Sequence, residues 1–588
     1  MPPSKRPVAA ALPLSAIPFG ASYQRLIQSA WFSYSTILLL QLKVIWGMWR
    51  VRDLTSGDTS AYFVQADHWF RYGTGSMVWS PLYTFLYGSL LEFSSDAFVV
   101  TTLHRLLIVL ILAVLVLALM RKLLPPDLAW LMTAWWVILP INFDAMYEVH
   151  LFAVIPVLCA GLIILSWPGH WRYSGALALM LATSLLMRNE LLLATGMLTA
   201  MMLGVALWNF RSQAARPRLT PRLWGAYAIP LICTWMLTLY CYRHATDVGY
   251  IAAQMEHKHT LNICQTYAFG YQQRQADFKK SAWTECQELM TRVFGKPEPS
   301  LLEALGRNPA AMFAHFLWNL QLVPSGLQVA LFNEASGGMT PDYAPVMLNS
   351  GRALFASSVL LIVFAAGLIQ LVRHWHTWWN DWLRERIWGW LLLLAASGVT
   401  VGVMISQRPR PSYMFVLAIL LRAAAGMCLL VLLSKTAART WLSTAFPALA
   451  VAIIFCKQSY YLHVVTPQPR LLLKAYQRVA PFAQTLTRSG TVLVAPGFTG
   501  QLCDYVGKGG CREFNYYDLA AEVSASNAWP KVLSGRSVTM VYLDEAVLAT
   551  PDGQRLVSEA ASAAWQTLVR FHGGGQNWMV LARPDLAR

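Results

Sequence analysis

The composition of this 588-residue chain is that of a membrane protein. Hydrophobic residues make up 56% of it and charged residues only 13%, whereas an ordinary soluble domain is about a quarter charged. The net charge of +17 would favour nucleic acid in a soluble protein. Here most basic residues lie in short segments between apolar runs, which is the positive-inside pattern. The composition therefore excludes an ordinary soluble enzyme and argues against a nucleic-acid partner.

Apolar stretches near the ~20 residues that cross a bilayer recur as far as about residue 457. A Pro- and Ala-rich N-terminal tail, residues 1–28, precedes them and is expected to be cytoplasmic. The candidate spans are about 30–49, 97–120, 128–142, 149–167, 173–187, 191–210, 223–242, 354–372, 387–406, 413–433 and 441–456. The sequence thus predicts a polytopic α-helical bundle of about 11 transmembrane helices over residues 29–457.

Basic residues between the spans set the predicted orientation. One side receives the N-terminal tail together with these positions: Arg121, Lys122, Arg211, Arg216, Arg218, Arg222, Arg373, Arg384, Arg386, Lys435 and Arg439. The positive-inside rule makes that side the cytoplasm. The outer side then receives two long loops, 50–96 and 243–351, and everything after residue 457. We expect a multi-pass protein of the plasma (inner) membrane.

The C-terminal segment, residues 458–588, has a different composition. It contains strand-like runs at Thr491–Ala495, Val538–Leu543 and Trp578–Ala582, with a helical stretch near Gln554–Phe571 between the last two. Strands that alternate with helices predict a small α/β domain. The orientation places this domain on the extracytoplasmic, periplasmic side.

Four cysteines fall on the predicted outer side and form two local pairs. Cys264 and Cys286 lie in the second long loop, and Cys503 and Cys511 lie in the C-terminal domain. An oxidising compartment favours a disulfide within each pair; free thiols are the alternative. Neither pair has the CxxC spacing of a zinc site.

The outer turns carry the acids. Asp58 in the first loop is a candidate general base, although Gly57-Asp58-Thr59 also fits a helix start. The turn between the third and fourth spans contains Asp144, Glu148 and His150. Glu148 and His150 are candidate ligands for a divalent metal or interfacial polar residues that reach water.

The outer turns also carry arginines. Arg188 and Glu190 pair within an otherwise apolar run, which fits a phosphate clamp. Arg408 and Arg410 alternate with prolines, so that a rigid turn offers them to a lipid phosphate or uses them as anchors. Acids and arginines from four separate turns would have to converge in an enzyme that handles a lipid phosphate.

The order of these motifs resembles the GT-C superfamily of integral membrane glycosyltransferases, which includes protein O-mannosyltransferases and the aminoarabinose transferase of lipid A. Gly57–Ala66 is similar to the family's Asp-Glu-x-x-Tyr-x-x-x-Ala, with Asp58 and Tyr62 at matching positions and Thr59 in place of the second acid. Further similar segments are Ser80–Tyr83 (Pro-Pro-Leu-Tyr), Pro140–Glu148 (Pro then Glu), Leu186–Glu190 (Arg-x-Glu) and Arg410–Tyr413 (Arg-Tyr).

The resemblance implies transfer of a sugar from a polyprenyl-phosphate donor to a glycan, lipid or protein acceptor on the outer face, with inversion. Asp58 would act as the base. Arg188, Arg408 and Arg410 would bind the donor phosphate, with Tyr62, Asp144, Glu190 and Tyr413 in support. No cofactor is certain. A divalent metal, if the enzyme uses one, would be bound at Glu148 and His150 rather than in the first loop, because Thr59 replaces the second acid there.

Three alternatives stay open at this point. A transporter or flippase would move a lipid-linked anionic substrate. An O-antigen ligase or polymerase would use a lipid-diphosphate donor. A scaffold without activity would bind a cell-wall partner through the C-terminal domain.

Overall fold

The structure is a computed structural model. It describes residues 29–51, 58–94, 96–144, 148–212, 221–341, 346–434, 436–463, 475, 477–482, 492–495, 512–516, 519–520, 522–523, 528–573 and 576–585. The predicted N-terminal tail, Cys503 and Cys511 lie outside the described residues. The side chains of Asp58 and Glu148 do as well, although the backbone of each begins a helix.

Helices dominate the first four fifths of the chain. In chain order they are α1 (Ala30–Ile45), α2 (Met48–Val51), α3 (Asp58–Tyr72), α4 (Pro81–Ser89), α5 (Ala97–Leu123), α6 (Pro126–Val137), α7 (Glu148–Ser166), α8 (Trp171–Leu186), α9 (Leu191–Ser212), α10 (Pro221–Arg243), α11 (Ile251–Arg274), α12 (Cys286–Phe294), α13 (Leu301–Arg307), α14 (Pro309–Phe332), α15 (Gly351–Arg373), α16 (Trp375–Trp378), α17 (Arg384–Ser406), α18 (Phe415–Leu433), α19 (Ala437–Cys456) and α20 (Tyr460–His463). A π-helical turn, Trp379–Leu383, joins α16 to α17.

The protein is a multi-pass membrane protein. Among the described residues, 7 helical segments are long and apolar enough to cross a bilayer: Ala97–Leu123, Val149–Ser166, Gly225–Arg243, Gly351–Arg373, Trp375–Ser406, Phe415–Leu433 and Leu442–His463. Four further predicted spans are helical but shorter in their apolar part: Ala30–Ile45, Pro126–Val137, Trp171–Leu186 and Leu191–Gly204. The predicted count of 11 spans is therefore not confirmed.

The bundle has two chemically different ends. At the end that we call the basic end, Arg386 Nε donates to the Lys122 carbonyl (2.9 Å) and Arg439 forms a bidentate pair with Asp127. The pair joins the start of α6 to the start of α19. The opposite end, which we call the loop end, is where segment 243–351 meets the turn 407–413.

Segment 243–351 has a core of its own and is clasped to the first loop. Helices α11, α12 and α13 enclose this core, and a disulfide joins Cys264 in α11 to Cys286 in α12. The buried Asp247 carboxylate accepts hydrogen bonds from Ser76 Oγ (2.6 Å) and the Met77 amide (3.0 Å). This clasp fixes α11 over the short 3₁₀ turn Met77–Trp79.

The C-terminal part is a small sheet domain. Its strands are β1 (Val492–Ala495), β2 (Arg512–Asn515), β3 (Met540–Leu543), β4 (Gln566–Gly573) and β5 (Gln576–Ala582), in the order β2-β1-β3-β5-β4. β1 is parallel to β2 and β3, and β5 is antiparallel to β3 and β4. Three further helices, α21 (Trp529–Gly535), α22 (Glu545–Leu548) and α23 (Pro551–Ser562), accompany the sheet.

The predicted strands agree with β1, β3 and β5, but the predicted helix 554–571 is wrong in its second half. Helix α23 ends at Ser562, and Ala564 adopts a left-handed backbone with φ +61°. Residues 566–571 then form β4, which pairs with β5. The strand conformation of β4 depends on its pairing with β5, which follows it in the chain. This pairing outweighs the local helical propensity of residues 566–571.

Candidate active site

A small cavity of about 50 Å³ opens at the loop end between α7, α9, α17 and α18. Its polar lining comes from residues that the sequence analysis selected, together with Ser412: His150, Arg188, Glu190, Ser412 and Tyr413. Its remaining walls are mostly small and aliphatic: Ala153, Val154, Val157, Leu191, Ala396, Val399, Val403 and Val416, with Thr400 and Phe415. The cavity therefore has a charged end and an apolar part.

Arg188 is the centre of the charged end. The turn after α8 is closed by the Arg188 amide, which donates to the Thr183 carbonyl. The guanidinium donates from Nε to Glu190 Oε1 (2.6 Å), and its Nη2 contacts the same oxygen. Its Nη1 lies 3.1 Å from His150 Nε2. Glu190 thus orients the guanidinium with one edge towards α7.

One tyrosine ring is close to two guanidinium groups. The Arg188 guanidinium carbon is 5.5 Å from the Tyr413 ring centre, and that of Arg410 is 5.7 Å away. His150 packs edge-on against the same ring at 5.1 Å. Cations are held favourably over an aromatic face. The prolines at 409 and 411 and the 3₁₀ turn Pro411–Tyr413 hold this arrangement at the start of α18.

The first loop adds an aromatic wall and a lysine. Tyr62 in α3 packs edge-on against Trp79 (5.2 Å) and Tyr83 (5.2 Å). Lys258 Nζ, from α11, lies 3.7 Å from the Trp79 ring centre and 5.7 Å from that of Tyr62. Sequence reasoning missed Lys258, since nothing local distinguishes it from the other basic residues of segment 243–351. The Asp247 clasp, together with backbone hydrogen bonds of Gly75 to His244 and Thr246, brings α11 to the first loop.

Ser80 fastens the first loop to the Arg188 turn. Its Oγ donates to the Met187 carbonyl at 2.9 Å, and its backbone adopts φ +54°. A left-handed backbone is unfavourable for a residue with a Cβ and is typical of functional sites. Two turns into α4, Gly88 lets that helix touch α3, because a Cβ there would lie 2.2 Å from the Ala66 carbonyl oxygen. The predicted Ser80–Tyr83 motif is therefore the joint between two walls of the site.

We compared the chain with known proteins. No protein-family model and no curated protein matches the chain. A similar solved structure is the oligosaccharyltransferase of Archaeoglobus fulgidus in its apo form, with 12% sequence identity, coverage of 90% of this chain and 70% of that chain, and a TM-score of 0.37. A likeness at this TM-score carries no conclusion about the site.

Arg408, like Arg410, is not among the residues that line the cavity. Its Nε donates to the Pro341 carbonyl (2.8 Å) and its Nη2 to the Thr340 carbonyl (3.3 Å). The residue is buried. These contacts tie the turn 407–413 to segment 243–351, so that Arg408 and Arg410 face different surroundings although only one residue separates them.

The other acids that the sequence analysis selected lie in three different segments of the chain. Asp144 does not line the cavity; its Oδ2 accepts a hydrogen bond from the Tyr460 hydroxyl (3.2 Å) in α20. Asp58 is the first residue of α3, and Tyr62 follows it by one turn. Glu148 is the first residue of α7, two positions before His150.

A metal does not fit at the described face of His150. Its Nε2 is directed at a guanidinium nitrogen of Arg188, which is a cation. Among the described residues, no three His, Cys, Asp or Glu side chains form a metal-binding group. We therefore derive no step through a metal, and a metal role for Glu148 stays a prediction from the sequence.

Proposed function

We propose that the protein is a glycosyltransferase that moves a sugar from a polyprenyl-phosphate donor to an acceptor at the loop end, and that this end faces the outside of the plasma membrane. The carrying observation is the division of the cavity. Arg188, Glu190 and Tyr413 occupy one end, and aliphatic side chains of α7 and α17 line the rest. A polyprenyl phosphate has the same division into an anionic head and an apolar chain.

The arginines suit a phosphate group. Guanidinium groups bind phosphate oxygens in a bidentate manner. The guanidinium carbons of Arg188 and Arg410 both lie within 6 Å of the Tyr413 ring centre. As the bond between sugar and phosphate breaks, negative charge grows on the phosphate oxygens. Fixed cations at that place stabilise the transition state more than the ground state.

Asp58 is proposed as the base. The acceptor hydroxyl oxygen would attack the anomeric carbon while the carbon–oxygen bond to phosphate breaks, and Asp58 would take the hydroxyl proton. Polyprenyl phosphate leaves with the bonding electrons, and the configuration inverts. The position of α3 supports this role, because Tyr62, one turn after Asp58, packs at the aromatic wall beside Lys258.

The test is release of polyprenyl phosphate from labelled polyprenyl-phosphate hexoses by purified protein in one detergent, with crude membrane acceptors. We expect turnover by wild type and a fall below a few per cent in Asp58→Asn. The matched control is Asp67→Asn. That buried acid of the same helix is paired with Arg71 (2.6 and 2.7 Å) and should retain most turnover if the protein folds. Retained turnover in folded Asp58→Asn would remove Asp58 from the role of base.

The same assay separates the alternatives. A transporter or flippase would bind the lipid without releasing phosphate, and its site is expected near the membrane midplane. Here the charged lining lies at one end of the bundle. Lipid-diphosphate donors run in parallel distinguish a ligase-type enzyme, and a non-catalytic scaffold would give no release with any donor.

A further inference from the structure

Helix α14 is unusual within the segment that the sequence analysis assigned to the aqueous loop. It has 24 residues, and none of them is Asp, Glu, Lys or Arg. At 1.5 Å per residue it is about 36 Å long. The preceding helix α13, with only 7 residues, already carries Glu303 and Arg307. A helix of this length without charge is atypical of a segment in water.

One face of α14 is bound to the ends of transmembrane helices. His315 Nε2 lies 3.3 Å from the Ser406 carbonyl, and Asn319 Nδ2 donates to the carbonyls of Ile405 (2.9 Å) and Gln407 (2.7 Å). Further along, Gly326 packs on Pro409; a Cβ there would lie 2.4 Å from the Pro409 carbonyl oxygen. The partners of α14 are Ile405 and Ser406 at the end of α17, and Gln407 and Pro409 in the turn that follows it. Helix α14 therefore runs across the loop end of the bundle.

The carboxyl end of α14 is held by residues of two helices of the bundle. Arg422, about two turns inside α18, is fully buried and donates from Nη2 to the Ala330 carbonyl at 3.0 Å. Trp135 Nε1, from α6, donates to the Leu331 carbonyl at 2.6 Å. A cation at the carboxyl end of a helix is favourable, and a long side chain inside a span extends towards the interface. This end of α14 thus lies at interfacial depth.

The other side of α14 presents an apolar stripe. Phe313 and Leu317 are each 59% exposed and Leu320 is 53% exposed. Their spacing of four and three residues places them on one helical face. The opposite face contains the buried Met312, His315 and Asn319. Helix α11 covers α14 from the loop side, where Trp318 Nε1 donates to Gln273 Oε1 (3.1 Å). The stripe therefore points sideways.

We propose that α14 lies in the plane of the membrane at the loop end, with the stripe Phe313, Leu317 and Leu320 in contact with lipid acyl chains. The partner is lipid because α14 packs on the last turn of a transmembrane helix, its carboxyl end lies at interfacial depth, and the next helix is exposed to lipid. Helix α15 starts beside the end of α14, where Ser350 Oγ donates to Glu334 (2.5 Å). Only 6% of its apolar stretch is buried in protein. An in-plane amphipathic helix buries its apolar face in the interface.

The inference is independent of the proposed glycosyltransferase activity. Its structural consequence is that segment 243–351 has a membrane anchor of its own. The anchor lies in the same segment as Lys258 and packs on the turn that carries Arg410 and Tyr413. Helix α14 would thereby fix the height of Lys258 and of this turn relative to the membrane surface.

The experiment compares two single-cysteine replacements in the full chain, Leu317→Cys and Leu302→Cys, in liposomes. Leu302 is 79% exposed and lies in α13, outside the stripe. A charged, membrane-impermeant maleimide should label Leu302→Cys at the rate of a thiol in water. Leu317→Cys should react at least tenfold more slowly, because acyl chains exclude the reagent and the thiolate. Wild type gives the background, and labelling after denaturation shows that both cysteines are present. Equal rates in liposomes would overturn the proposal.

A second measurement distinguishes lipid from protein as the cover. Liposomes that contain a phospholipid with a photoactivatable diazirine on its acyl chain should give adducts on the peptide 309–332, in the wild type and in Leu317→Cys. Slow labelling of Leu317→Cys without adducts on this peptide would mean that a second copy of the chain covers the stripe. That outcome would also overturn the proposal.

Discussion

The arginines at the cavity differ from the cations buried elsewhere in what their donor groups contact. Arg188 contacts side chains, Glu190 and His150, beside open space. Arg422 donates to the Ala418 and Ala330 carbonyls and packs against two tryptophan rings, Trp135 at 4.9 Å and Trp136 at 5.5 Å. In the first arrangement side chains hold the guanidinium at the lining of a cavity, and in the second the guanidinium closes a helix end.

Lys43, a half-buried cation in α1, has partners of the second kind. Its Nζ donates to the carbonyls of Ile454 (2.6 Å) and Phe455 (3.0 Å), in the last turn of α19. The last carbonyls of a helix lack intrahelical partners and carry partial negative charge. A membrane protein can thus satisfy a buried cation without a carboxylate, so that a cation in a span is not by itself evidence of a site.

The largest change in ligand binding is expected from Arg188→Gln. The replacement keeps a polar group but removes the charge, and a hydrogen bond to a charged group contributes about 1.5–3 kcal/mol. Affinity for polyprenyl phosphate should therefore fall about ten- to a hundredfold. Titration of the purified variant in lipid nanodiscs measures this.

Because Arg188→Gln leaves the Glu190 carboxylate without its partner, the double variant Arg188→Gln/Glu190→Gln is the control. It should bind the donor as weakly as the single variant while recovering any lost thermal stability. Unchanged donor affinity in both would reduce Arg188 to an anchor.

Arg408 and Arg410 give a matched pair within one turn. Arg410→Gln should lower donor affinity about tenfold, by the loss of one charged contact. Arg408→Gln should leave donor affinity nearly unchanged and lower the unfolding temperature, because its donors serve the Pro341 and Thr340 carbonyls. Donor titration and thermal unfolding of both variants test the distinction. A tenfold loss of affinity in Arg408→Gln would return Arg408 to the phosphate site.

The sequence predicted the turns that meet at the cavity better than it predicted their geometry. Arg188, Glu190, His150 and Tyr413 were selected because polar residues at span ends are costly and retained for a task. The structure gathers these four around one cavity. Alternation of spans suffices for this, since it puts every second turn at the same end.

What the sequence could not predict depends on contacts between distant segments. The direction of Arg408 is set by segment 243–351, about 70 residues earlier in the chain (Pro341 and Arg408 are 67 apart). Lys258 is brought in by the Asp247 clasp. Helix α14 was assigned to a loop because its two prolines and scattered polar residues hide the apolar stripe from a hydropathy window. In each case the deciding information is tertiary.

The smallest effect on donor binding is expected from Arg422→Met. This variant tests the arginine whose donors close a helix end. Within the described chain, the contacts of Arg422 are carbonyls and aromatic rings, so its removal strands no carboxylate. Loss of the bond to Ala330 costs about 1 kcal/mol, and release of a buried cation offsets much of that cost. We expect donor affinity within about twofold of wild type and faster hydrogen exchange near residue 330, because the carboxyl end of α14 loses a donor. The contrary result is that Arg422→Met weakens donor binding as much as Arg188→Gln does. The contacts of an arginine would then not indicate its role in this protein. The assignment of Arg188 and Arg410 to the phosphate would lose its main support.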